Sequence, residues 1–350
     1  MSLIFYLILS ISLLAGQLIL LLALALRKQR LSAKEEAITQ QYEALIDVFS
    51  SYMLDPSDDR FIQEIRSNPH KIVVLERLLN GYVSVTKGGV ASPLVKGLSE
   101  EFLSAHYAKQ LSRKNWALRM NTLYYIEDFR MESLKPVLKE KLDKSTQLDL
   151  ETQQLIRTLA SLDETATIPA LARYPDAPVR LYTDVFKRLD ESTRLKELDA
   201  ALRNEKTNSA LKHAAISYIG LAGLTSFLPY LENELRVQEG EMRIQSLKAI
   251  LNMQYLSDPG LLLPFLESSS WPERMYASRI AGRLQLSRFK ETLSTLLGDP
   301  VWWVRYSAAE ALVQFSDGDI LLSHLSANHP DRFARDMASQ WKASLLGSET

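Results

Sequence analysis

A segment of about 31 residues recurs along this 350-residue chain, and no other feature restricts its fold as strongly. The clearest copy reads DPVWWVRYSAAEAL, from Asp299 to Leu312. Downstream, HPDRFARDMASQWKASL places Pro330, Arg335 and Ala338 where Pro300, Arg305 and Ala308 stand. Upstream, WPERMYASRIAGRL aligns Pro272, Ile280, Ala281 and Leu284, with Ala277 at the position of the arginine. EMRIQSLKAIL aligns on Arg243, ALKHAAISYIG on Lys212, APVRLYTDVFKRL on Arg180 and WALRMNTLYYI on Arg119, while LETQQLIRTLASL fits with Thr152. The register positions 119, 152, 180, 212, 243, 277, 305 and 335 are separated by 33, 28, 32, 31, 34, 28 and 30 residues. Such a sustained period marks a repeat architecture.

Between these segments lie others, including ESLKPVLKEKL, TRLKELDAALR, LTSFLPYLENEL and RFKETLSTLL, whose leucines recur at three and four. Each unit is therefore two amphipathic helices, which cannot bury their apolar faces alone and must stack on their neighbours. Alternating strand patterns are absent. The Leu-rich helix, the Asp-Pro pair, and Val-Arg followed by Ala308, Ala309 and Ala311 resemble the HEAT-like repeat family, over about Ser112 to Leu346. That resemblance implies an all-α fold: a right-handed α-solenoid of about seven to eight helix pairs, each second helix lining a concave face. The expected organisation is an anchor over 1–31, a juxtamembrane helical cap over 32–111, the repeats over 112–346 and a tail over 347–350. Ser32 and Glu35 form a capping box that opens the juxtamembrane helix, and three more helices follow between Pro56 and Gln110. TKGGVASP reads as a linker.

The anchor rests on LIFYLILSISLLAGQLILLLALAL, which holds no charge from Leu3 to Leu26. Its 24 residues reach roughly 36 Å, enough to span a hydrocarbon core of about 30 Å. RKQR follows, so the positive-inside rule puts the C-terminal side in the cytoplasm and the short N-terminus outside. A cleaved signal peptide, releasing an extracytoplasmic solenoid, is the competing reading, but the basic n-region is missing and the apolar run is long.

Arg27, Lys28 and Arg30 belong to the anchor flank, so the other 38 of 41 basic residues face 42 acids. That balance argues against non-specific nucleic-acid binding. With no cysteine, disulfides, thiol nucleophiles and zinc–cysteine sites are excluded. The five histidines form no HExxH and no His-Glu pair like that of the family's metal-dependent hydroxylases, and no phosphate loop is present. The sequence thus points to no cofactor and no metal.

The recurring cations at Arg119, Arg180, Lys212, Arg243, Arg305 and Arg335 fit two readings. They form a ladder for anions, or each pairs with an acid or carbonyl of an adjacent repeat, as the resemblance suggests. In DPVWWVRYSAAEAL, Val304, Ala308 and Leu312 define an apolar edge that Trp302, Ala309 and Val313 broaden. Trp303 shares a side with Ser307 and Glu310 and is expected to be exposed. At that register position the neighbouring copies carry Met275 and Phe333. A Met275–Trp303–Phe333 row flanked by Arg305 and Arg335 is a candidate groove for a protein partner, against the alternative that these side chains fill the core. The expected function is a non-catalytic scaffold or adaptor at the cytoplasmic membrane surface, held by residues 3–26 in the bilayer, with a membrane-bound enzyme or transporter as its partner. The alternative is a HEAT-like enzyme of the lyase or DNA glycosylase type, which needs a groove holding an acid of raised pKa beside aromatics.

Overall fold

The computed structural model describes residues 3–86, 92–163, 167–204, 207–237 and 240–347, with side chains from Leu13 to Ala343. Among them every regular element is helical. Helix α1 runs unbroken from Leu3 to Leu54, 52 residues, or about 78 Å. Ser32 is interior to it rather than a cap, because RKQR and the residues after it are good helix formers with no proline or glycine to interrupt them. Glu35 instead reaches Arg77 on a later helix.

Among the described residues no helix is long and apolar enough to cross a membrane. Residues 3–12 of the expected anchor lie outside those whose side chains are described. From Leu13 to Leu26 the leucines are exposed all round the helix, Leu13 at 60% and Leu18 at 71%. The second half of α1 behaves differently, because Ile38, Leu45 and Phe49 fall on one helical face and are buried. They pack against α2 (Arg60–Ser67) and α3 (Lys71–Val85), with the Phe49 ring 5.2 Å from Phe61 and 6.2 Å from Tyr82.

The chain forms two compact units, residues 1–162 and 163–350. The first continues with α4 (Pro93–Phe102), α5 (Ser104–Leu111), α6 (Trp116–Phe129), α7 (Lys135–Asp143) and α8 (Leu150–Ser161). Four helices rather than three therefore separate α1 from Ser112, since the stretch after Pro93 breaks at Leu103 into α4 and α5. The core of the TKGGVASP linker, 87–91, lies outside the described residues.

The second unit holds α9 (Thr167–Leu171), α10 (Val179–Arg188), α11 (Glu191–Arg203), α12 (Ser209–Ala222), α13 (Leu228–Val237), α14 (Glu241–Met253), α15 (Leu263–Leu266), α16 (Trp271–Arg283), α17 (Lys290–Leu296), α18 (Trp302–Val313), α19 (Gly318–Asn328) and α20 (Arg332–Gly347). Its second helices α10, α12, α14, α16, α18 and α20 pack each on the next, and α11, α13, α15, α17 and α19 each pack on the second helix that follows. This is the helix-pair stacking of an all-α solenoid.

The backbone corrects the repeat register at one place. Positive φ occurs at Arg130, Asp163, Gly223, Gln254 and Gln285. Each lies eleven residues after the register positions 119, 152, 212, 243 and 274. The register residue of the sixth copy is thus Arg274, not Ala277, and the separations from 212 to 305 become 31, 31 and 31. Pro272 caused the offset. It sits in the first turn of α16, whereas Pro300 and Pro330 precede helices that begin at Trp302 and Arg332.

The positive-φ residues end the helices. Met131 N–H donates to Ile126 O, Leu224 N–H to Ile219 O and Leu286 N–H to Ala281 O, closing Schellman turns, while Gln254 N–H donates to Ile250 O in the simpler form. Glycine suits this conformation, and Gln254 pays for a side chain there without a recorded hydrogen bond. Gln254→Gly should raise stability by about 0.5–1 kcal/mol in chemical denaturation, and an unchanged or lower midpoint would contradict this account.

Candidate interaction surface

Four of the register arginines, Arg119, Arg274, Arg305 and Arg335, occupy one local geometry. In each, Nη1 donates to the carbonyls six and five residues earlier: Arg119 to Arg113 and Lys114 (2.8 and 2.8 Å), Arg274 to Ser268 and Ser269 (2.7 and 3.1 Å), Arg305 to Asp299 and Pro300 (2.8 and 3.2 Å), Arg335 to His329 and Pro330 (2.6 and 2.9 Å). The guanidinium thus ties the incoming loop to the helix's first turn. Its remaining edge faces the next repeat. Arg119 Nε and Nη2 donate to both Glu151 oxygens at 2.8 and 2.6 Å, and Lys141 Nζ lies 3.0 Å from the same carboxylate. Arg274 Nε and Nη2 grip Asp299 at 2.7 and 3.0 Å, and Arg243 Nη1 meets Glu273 at 3.3 Å. Such two-point contacts are the strong form of the arginine–carboxylate pair. Asp299 is accordingly not the N-cap of α18. Its Oδ1 accepts the Val301 N–H at 2.8 Å and its carboxylate serves Arg274.

Of the other two cations, Arg180 is exposed and Lys212 half-buried. Lys212 acts on Glu234, whose carboxyl is raised chiefly by burial, with Tyr230 and then Lys212 opposing.

The row of aromatics differs from the expected one. Trp303 and Phe333 are exposed, at 55% and 62%, and both stand two positions before a register arginine. Met275 is half-buried and follows Arg274, so it is the counterpart of Tyr306 and leaves the row. Trp302, expected on the apolar edge, is 43% exposed. It leans on Tyr306, with ring centroids 5.0 Å apart, and Tyr306 in turn meets Trp341 at 5.0 Å. Trp271, at the same register position as Trp302, is 41% exposed and was hidden by the offset at Pro272. The Arg305 guanidinium lies 5.2 Å from the Phe333 ring centroid, a cation–π contact. Four large aromatic side chains at the starts of α16, α18 and α20, the second helices of three successive repeats, thus remain in solvent beside half-buried arginines.

Elsewhere the second unit has two larger hollows. One, about 550 Å³, is lined by Arg243, Asp258, Phe265 and Glu273 among others. The other, about 590 Å³, is lined by Asp199, Arg203, Phe227 and Tyr230. Glu234 adjoins Tyr230, whose hydroxyl is pushed up to about 12 by burial and by that carboxyl. In the first unit Glu76 is raised by burial beside the buried Tyr107 hydroxyl. Among the described residues no group of three or more His, Asp or Glu side chains converges as a metal site requires.

The stacked helix pairs and their loop-tying arginines define an all-α helical repeat protein. Residues 290–318, which hold α17 and α18, match the model of the HEAT repeat. No curated protein matches the chain. Among solved structures, the complex of CpcE and CpcF of phycocyanin lyase from Nostoc sp. PCC7120 aligns at 15% identity and a TM-score of 0.27, covering 74% of this chain and 96% of that one. Human deoxyhypusine hydroxylase in complex with glycerol aligns at 16% identity and 0.27, covering 87% and 98%. An engineered protein aligns at 14% identity and 0.26, covering 89% and 94%.

Proposed function

We propose that the protein is a non-catalytic scaffold, anchored in the membrane by the apolar start of α1, whose C-terminal repeats bind a protein partner at the cytoplasmic surface. The observation that carries this reading is the exposure of Trp271, Trp302, Trp303 and Phe333 on the second helices of consecutive repeats. Large aromatics left in solvent beside arginines have the composition of interaction hot spots. The anchor is supported by the uncharged run from Leu3 to Leu26 and by leucines exposed on every side of α1 beyond Leu13. A helix apolar all round, without protein neighbours, suits lipid, and the basic flank at Arg27, Lys28 and Arg30 orients the repeats inward. Tethering confines the repeats to the membrane surface and raises their effective concentration towards partners held there.

Photo-crosslinking in native membranes tests the reading. With a photoreactive phenylalanine at Trp303, an adduct with a single protein is expected, and none from the same residue at Ile320, which is 69% exposed on α19. The protein should also stay in the membrane pellet at alkaline pH. Equal labelling at both positions, or none at Trp303, would place the binding surface elsewhere.

A further inference from the structure

Arg305 breaks the pattern of its counterparts. Arg119, Arg243 and Arg274 each meet a carboxylate from the following repeat, Glu151, Glu273 and Asp299. Among the described residues Arg305 meets none. Its Nε is buried without a hydrogen-bond partner, as is the Nε of Arg243, so the missing carboxylate and not the Nε is what sets Arg305 apart. The sequence explains the gap. The residue equivalent to Asp299, six before the register arginine, is His329 in the last repeat. Both make the same turn, since Asp299 Oδ1 accepts the Val301 N–H at 2.8 Å and His329 Nδ1 accepts the Asp331 N–H at 3.1 Å. The histidine preserves the turn but brings no negative charge. Glu151 and Glu273 stand one position before their register residues, where the last repeat has the fully buried Ala334.

Arg305 as a whole is only half-buried, and a carboxylate brought by a partner to the accessible part of its guanidinium is worth more there than at the open surface. The Phe333 ring rests on this guanidinium, and Trp303 lies on the adjoining first turn. We propose that Arg305 is an open carboxylate slot, filled by an aspartate or glutamate of a partner protein whose neighbouring apolar side chain packs on Trp303 and Phe333. This deepens the scaffold reading and rests on it. A second copy of the chain is a poor occupant through its own first repeat, because the positions equivalent to Asp299 and Glu151 there are Arg113 and Leu118.

Two variants test the slot in the full-length, membrane-bound protein carrying the photoreactive residue at Trp303. Arg305→Gln removes the cation. His329→Asp supplies the carboxylate in cis, as Asp299 does for Arg274, and should melt at or above the parent's temperature. The adduct is expected to fall at least tenfold in both, and a charge-reversed pair, Arg305→Glu with lysine at the crosslinked acid of the partner, should restore it. An adduct unchanged in both variants overturns the carboxylate slot while leaving the aromatic surface intact. No adduct in the parent overturns the binding surface at Trp303 and the slot together, and an adduct of twice the chain's mass names a second copy and overturns the slot as drawn. A His329→Asp protein that melts well below the parent would show that Arg305 is not short of a carboxylate.

Discussion

Gly282→Val is expected to cost about 3 kcal/mol or more of folding free energy, and with it the tight seating of α16 on α18. A Cβ on Gly282 would stand 2.4 Å from Ala311 Cα and 2.6 Å from its Cβ, distances no side chain tolerates. The obstruction is backbone, so no rotamer change relieves it and the helices must separate. Gly220 makes the same approach to Ala249, also at 2.4 Å from its Cα, between α12 and α14. The control is Gly97→Ala in α4, where a Cβ meets nothing within 4 Å. There alanine should stabilise by about 0.5–1 kcal/mol, because a glycine inside a helix costs backbone entropy. Urea unfolding followed by tryptophan fluorescence reports on both variants, since Trp271, Trp302, Trp303 and Trp341 lie in the second unit and Trp116, on α6 beside α4, lies in the first. A Gly282→Val protein with the parent's midpoint would refute the close contact.

The second large effect is expected at Glu151. Its carboxylate accepts both Arg119 donors and pairs with Lys141, and its side chain is 10% exposed. Removing it leaves two cations facing each other in a largely buried space. Breaking a buried pair by deleting one partner costs roughly 3–5 kcal/mol, and the partial exposure of Lys141 places Glu151→Gln near the low end, about 3 kcal/mol at neutral pH. The Arg119 hydrogen bonds, against the cost of burial and with help from Lys141, hold the Glu151 carboxyl below its ordinary value. A depressed carboxyl contributes stability above the unfolded-chain value of about 4.3 and loses it as pH falls through the lowered folded value. Parent and Glu151→Gln should therefore differ most at neutral pH and converge in acid, as read by hydrogen exchange in α6 and α8. A difference that persists unchanged in acid would remove the carboxylate from the explanation.

The repeat itself was legible because a helix pair that buries its apolar faces on its neighbours repeats its leucines, small residues and cations at one spacing. The positions of the cations at 119, 243, 305 and 335 came from that spacing alone, and the exposure of Trp303 was expected from its place on the helix. Pro272 misled, because proline is equally at home in the first turn of a helix and just before one, so aligning prolines shifts the frame by three. Pairing of the cations with an adjacent repeat was one of the two readings, but which acids they meet was not legible. Glu151 and Glu273 precede the register residue by one position and Asp299 precedes it by six, so the acids keep no common place in the repeat. Trp271 was lost with the frame, and although an aspartate before proline at a helix start is commonly a cap, Asp299 serves Arg274 instead.

Gly220 and Gly282 are 62 residues apart, two repeats, and the interfaces between them and after Gly282 are unlike. Where α14 meets α16 the corresponding pair is Leu251 and Ile280, and where α18 meets α20 it is Val313 and Trp341. Glycine against alanine brings two backbones together, whereas bulky side chains hold them apart and slide over one another at lower cost. The second unit is thus mechanically a train of couples, α12 with α14 and α16 with α18, joined by more yielding couplings. Bending by a bound partner would concentrate at those couplings, one of which lies beside Trp303 and Phe333.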